Sequence, residues 1–201
     1  VDCEREQILG WAQSPTTVDT DITVGLDAAM DKLQRLTGPV SYVARLGCSS
    51  AAGGLRMVTV GLVPDLTAEA AKRAALGAGA KVIGVYAYEL SAREVRAIEE
   101  SKPDIILLAG GTDGGNKEVI IHNARCLARS NLSAPIIVAG NKAAADDVMH
   151  ILHEAGKEAI EADNVMPEMG VLAVEAAREA IRRVFIHRIV EAKGLKEAET
   201  R

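Results

Sequence analysis

The stretch Pro103–Asn116, PDIILLAGGTDGGN, decides the fold of this chain. Ile105 to Ala109 is an unbroken apolar run that leads straight into a loop with four glycines, and an amphipathic helical pattern follows. A short continuous apolar run ending in a turn signal is a strand buried on both faces of a parallel sheet. In open α/β sheets ligands bind outside the carboxyl ends of the strands. The loop Gly110–Asn116 therefore marks the face on which function is expected.

The same rhythm extends outward from it. Counting from Met57, MVTVGLV, Val82–Ala87, the opening run, Pro135–Ala139 and Lys157–Ala162 read as five strands. Helical patterns lie between them, and a long one runs from Val171 to Ala192. Pro64-Asp65 breaks the first strand and Thr67 is placed to cap the helix after it. Ser91 with Glu94 forms a capping box for the next. After the loop, Val119, His122, Cys126 and Arg129 fall along one line of a helix, and Gly156 closes the helix after the fourth strand. Strands alternating with helices imply right-handed crossovers and a parallel sheet covered on both faces. The fold class is α/β, with a mostly parallel, flavodoxin-like or Rossmann-like sheet.

The first fifty residues do not follow this rhythm. Val1–Val18 suggests a hairpin around Glu4-Arg5-Glu6, packed by Trp11 and ended by Ser14-Pro15-Thr16-Thr17. A helix is expected from Val24 to Leu36, capped by Asp19, Thr20 or Asp21, with Leu26, Met30, Leu33 and Leu36 on one stripe. A strand over Val40–Gly47 follows. The expected organisation is 1–50 as part of a neighbouring layer, 51–194 as an α/β domain, and 195–201 as a tail or linker. Because it opens on Val1 in strand-like residues, the chain reads as a piece of a longer protein.

Composition excludes several classes. Aromatic residues make up 2% of the 201 residues, which leaves an aliphatic core and no base-stacking platform for single-stranded nucleic acid. A formal net charge of −5 gives no general attraction to nucleic acid or anionic membrane. Cys3, Cys48 and Cys126 are widely spaced and form no metal-type cluster, so a reducing cytoplasm is expected. No apolar run approaches membrane-spanning length.

The candidate site gathers strand-end loops: Gly110, Gly111, Thr112, Asp113, Gly114, Gly115 and Asn116; Asn141 and Lys142; Asn164–Glu168; and Tyr88-Glu89. Ser49 and Ser50 are added from the small-residue loop before Met57. Glycine amides and a helix N-terminus suit a phosphate or carboxylate. A tight strand-to-helix turn capped by Asp113 and Asn116 accounts for the same residues equally well. GGTDGG is neither a Walker loop nor the spaced dinucleotide fingerprint. His150 and His153 share a helix face without a third metal ligand, Cys48 has no base in view, and no carboxylate pair is set for acid–base work. No catalytic residue and no metal site is assigned.

Longer segments carry a resemblance. PTTVDTDITVGLDAAM, CSSAAGGLRMVTVGLVPDLTAEAAKRAALGAGAKV, KPDIILLAGGTDGGNKEVIIHNA, VAGNKAA, NVMPEMGVLAVEAAREAI and EAKGL together resemble the MutL (GlmL) family. These are proteins associated with glutamate mutase and other cobalamin-dependent mutases, distinct from the DNA mismatch-repair protein of the same name. The resemblance implies an actin-like ATPase that reactivates a mutase by exchanging damaged cobalamin, with ATP and Mg as cofactors of the full-length protein. Its two phosphate loops are expected before Val1 and beyond Arg201, so this chain carries no cofactor of its own and is expected not to hydrolyse ATP. Residues 1–50 would then be the hairpin, helix and strand of a partial ATPase subdomain, and 51–194 an insertion that recognises mutase subunits or gates the nucleotide. Alternatives are a phosphate-, nucleotide- or cobalamin-binding α/β module, for which the cobalt-ligating DxHxxG loop is missing, and a stand-alone flavodoxin-like enzyme. Mutase subunits and a small anionic ligand are the expected partners, and a homo-oligomer is left open.

Overall fold

The computed structural model describes residues 1–15, 22–44, 54–76 and 78–192. It divides into two compact units, Val1–Ser49 with His187–Arg201, and Ser50–Ile186.

In the first unit, helix α1 spans Ile22–Thr37. Its stripe is only partly covered: Met30 and Leu33 are half-buried, while Leu26 and Leu36 are exposed. Of the expected hairpin, one antiparallel bridge between Asp2 and Gln7 is present, and no strand follows it through residue 15. The Asp2 carboxylate accepts from the Glu4 and Arg5 amides, which satisfies the turn locally without a ladder. Trp11 does not pack as expected; it is 71% exposed. Residues 40–44 carry no strand, and the rest of Val40–Gly47 lies outside the described residues, as do the caps Asp19, Thr20 and Asp21.

The second unit is built on β1 (Leu55–Gly61), β2 (Ala80–Ala87), β3 (Ile105–Leu108), β4 (Ile136–Val138) and β5 (Ala159–Glu161). All are parallel, in the order β2-β1-β3-β4-β5. The apolar run is thus the middle strand, with every residue of β3 buried. Alternation splits the core into two layers. Met57, Ile105, Leu107 and Ile137 face α2 (Pro64–Ala75) and α6 (Glu175–Ala192). Val58, Val60, Ile106, Leu108, Ile136 and Val138 face α3 (Ala92–Ser101), α4 (Glu118–Ala128) and α5 (Ala145–Glu154). This is the flavodoxin-like arrangement expected from the rhythm of the sequence. Helix α2 meets the sheet through Ala70, Ala71, Ala74 and Ala75, small side chains that match a core without rings.

Helix boundaries differ from expectation where proline and polar packing intervene. Pro64 does not simply break the first strand; it occupies the opening turn of α2, where its missing N–H costs nothing. Thr67 is consequently a buried residue inside α2 and not its cap. On α4 the buried line is Ile120, Asn123, Ala124 and Leu127, one position over from the expected one, because Asn123 holds the loop after β2. Residues 171–174 are not helical, and α6 begins at Glu175. The capping box is present as read: the Glu94 amide donates to Ser91 Oγ at 3.3 Å, and the Ser91 amide donates to Glu94 Oε2 at 2.9 Å. No helix among the described residues is long and apolar enough to cross a membrane.

Candidate functional site

Strand β1 is followed by α2 on one face of the sheet and β3 by α4 on the other, so the loops after β1 and β3 diverge. A crevice opens at such a switch point. Its floor is the loop after β3. Gly110 and Gly111 both have positive φ, +135° and +74°, and a Cβ on Gly111 would run into the Asn116 carbonyl. Glycine is therefore required there for the chain to reverse.

Two asparagines from other strand ends fix this loop. Asn141, 0% exposed, follows β4. Its Oδ1 accepts from the amides of Gly114 and Ala143, both at 3.0 Å, and its Nδ2 donates to the carbonyls of Gly115 and Asn116, both at 3.1 Å. Asn164, after β5, donates through Nδ2 to the Gly111 carbonyl at 3.0 Å and to Asp113 Oδ1 at 2.9 Å, and accepts from the Met166 amide. Asp113 Oδ1 also accepts from the Lys142 amide at 3.0 Å, with Lys142 Nζ 3.6 Å from Oδ2. Burial works to raise the Asp113 pKa, but the hydrogen bonds from Asn164 and Lys142 and the lysine charge outweigh it and hold it below the usual carboxylate value.

The structure thus brings Gly110–Asn116, Asn141 and Lys142 together, with Asn164 as the third strand end. Ser49 and Ser50 lie outside the described residues. Tyr88-Glu89 is held from α4, where Asn123 donates to the Tyr88 carbonyl and accepts from the Leu90 amide. Of the two expected caps, Asn116 Oδ1 accepts from the Val119 amide in the first turn of α4, whereas Asp113 bonds the Lys142 amide of the next strand-end loop, whose N-cap is Asn141, and so ties two loops together instead of capping its own turn. Several amides that would face an anion already have partners. Asp113 N donates to the Pro167 carbonyl, Gly114 N to Asn141 and Gly115 N to the Thr112 carbonyl.

Sequence reasoning left out the loop after β1. Leu62, Val63 and Leu66 line a cavity of about 240 Å³ together with Gly110, Gly111 and Thr112, and with Val165, Met166 and Met169 from the loop after β5. The signal was available, since the crevice of this fold lies between the first and third strand ends.

Cys126 and His150 have structural partners. Cys126 Sγ lies 3.4 Å from His122 Nε2, but burial pushes its thiol up, so it is not a ready thiolate. His150 Nε2 pairs with Glu154 Oε1 at 3.3 Å on an exposed helix face.

The family described as MutL protein matches residues 1–201. A curated relative, Protein MutL of Clostridium tetanomorphum, is 55% identical over 202 residues, covering 100% of this chain. The chain spans 44% of that relative's length. Among solved structures, the receiver domain of a modulated diguanylate cyclase from Desulfovibrio desulfuricans G20 is 16% identical with a TM-score of 0.41, covering 68% of this chain and 98% of that one. The receiver domain of Thermotoga maritima CheB is 15% identical with a TM-score of 0.40, covering 70% and 97%. The fold assignment rests on the strand order and not on these likenesses. Matched along its whole length and more than half identical to a curated member, the chain belongs to the MutL protein family.

Proposed function

We propose that this chain serves as the recognition part of an ATP-dependent accessory protein that reactivates a cobalamin-dependent carbon-skeleton mutase of the glutamate mutase type. In this reading the α/β unit contacts mutase subunits in the cytoplasm, and ATP with Mg is handled by other parts of the longer family protein. The observation that carries it is the lip of the crevice. Val63 and Met169 stand exposed there, Met169 at 79%, around a loop whose polar groups mostly bond to one another. A rigid polar frame beneath exposed apolar side chains supports docking of a partner surface, whereas catalysis needs unengaged acids, bases or nucleophiles.

The test is capture of purified glutamate mutase subunits by the immobilised chain. Binding that is lost on Met169→Glu, with the fold intact by circular dichroism, is the expected result. Absence of capture by the wild-type chain, or capture that Met169→Glu leaves unchanged, overturns the reading. ATP turnover by the isolated chain above a mock preparation would overturn its non-catalytic part.

A further inference from the structure

The cavity beneath that lip has a chemistry of its own. None of the residues lining it is charged. Asp113 and Lys142, from two of the loops around it, pair with each other at 3.6 Å. Its lining includes the aliphatic side chains of Leu62 and Leu66 and the thioethers of Met166 and Met169. Thr112 and Asn116, both on the loop after β3, give the cavity a polar edge, with Thr67 of α2 and Asn164 elsewhere on its lining. The Thr112 hydroxyl has no partner among the described residues, and Asn116, whose Oδ1 takes the Val119 amide, has its Nδ2 without one.

We propose that this crevice binds an uncharged planar nitrogen heterocycle, its polar edge toward Thr112 and Asn116 and its faces against Leu66 and Met166. Three features select that class. An anionic ligand would enter a site without a cation and close to the Asp113 carboxylate. A purely aliphatic ligand would leave the polar edge unsatisfied, at a cost that a ring nitrogen or exocyclic carbonyl removes. Thioether sulfur contacts aromatic rings favourably, and unbranched methionine side chains adjust around a flat body. At about 240 Å³ the space lies below the roughly 300 Å³ where pockets for drug-sized ligands begin, which suits a ring system and not a whole nucleotide. Val63 and Met169 belong both to the lip and to the cavity, but the proposal does not rest on the mutase reading, because small-ligand binding is measured on the chain alone.

The experiment labels the methionine methyl groups with ¹³C and titrates the chain with adenosine, benzimidazole, inorganic phosphate and 4-methylpentanoate. Adenosine and benzimidazole are expected to shift Met166 and Met169 by ring current, while Met30, Met57 and Met149, which do not line the cavity, stay in place. Phosphate and 4-methylpentanoate are expected to leave all five methionine signals unchanged. Thr112→Val should weaken heterocycle binding roughly five- to tenfold, the value of one hydrogen bond. Leu66→Trp, which fills the space from a half-buried position, should abolish it. Silence of Met166 and Met169 toward both heterocycles overturns the proposal. So do equal shifts with phosphate or 4-methylpentanoate, or heterocycle binding that survives Leu66→Trp in a folded protein.

Discussion

Replacing Asn141 tests the construction of the crevice most directly. Its side chain is fully buried and makes four hydrogen bonds, two accepted and two donated, that join the loop after β3 to the turn after β4. Alanine removes all four. At about 0.5–1.5 kcal/mol each the sum would be about 2–6 kcal/mol. Gly114, Gly115, Asn116 and Ala143 are exposed, so their released backbone groups regain water and the lower half of that range applies. A loss of about 3 kcal/mol is therefore expected for Asn141→Ala, a large share of the roughly 5–15 kcal/mol that holds a domain folded. With a urea slope of about 2 kcal/mol/M, the unfolding midpoint should fall by about 1.5 M. Asn141→Asp sharpens the argument. It keeps an acceptor for both amides but turns a buried carboxylate toward two carbonyl oxygens. At neutral pH it should cost at least as much as alanine. An alanine variant within about 1 kcal/mol of wild type, or an aspartate variant as stable as wild type, would refute the account.

Two further predictions concern neighbouring contacts. Asp113 has a depressed folded pKa, so its contribution is present above the unfolded value of about 3.9 and is lost as pH falls through the lower folded value. Asp113→Asn should flatten the acid limb of a stability–pH profile while leaving the neutral limb lower by about 1 kcal/mol; an unchanged acid limb would exclude the charge. Asn123→Ala frees the Leu90 amide and the Tyr88 carbonyl, and should cost about 2 kcal/mol. Hydrogen exchange at Leu90 should accelerate while that at Ile106 slows or speeds only with global stability, and an unaltered Leu90 rate would contradict the latch.

The parallel sheet was legible because its signal is local and repeated: runs such as Ile105–Leu108 can be buried only on both faces. The loop Gly110–Asn116 was legible for the same reason, since consecutive glycines announce a backbone that few other residues can follow. What was not legible depends on distance along the chain. That Asn141 and Asn164 would meet the same loop follows from strand order, which no single segment encodes. The apolar wall from Leu62, Val63 and Leu66 looked like ordinary helix and strand ends until β1 was placed beside β3. Trp11 misled because an isolated tryptophan next to a turn signals burial by composition, whereas burial requires a packing partner, and among the described residues it has little.

The position of β3 in the middle of the sheet has a consequence for how the chain acquires its structure. β1 and β2 emerge first in synthesis and can pair as soon as α2 closes their crossover. The opposite edge of β1, from Met57 to Val60, then stays open until Ile105–Leu108 arrives, more than forty residues later. An unpaired apolar edge in a partly made sheet is an aggregation hazard, and parallel pairing over long separations is slow. Arrest of translation just before Ile105 should therefore leave the most chaperone-dependent nascent chain. Synthesis beyond Val138 supplies β4, the last neighbour that β3 needs.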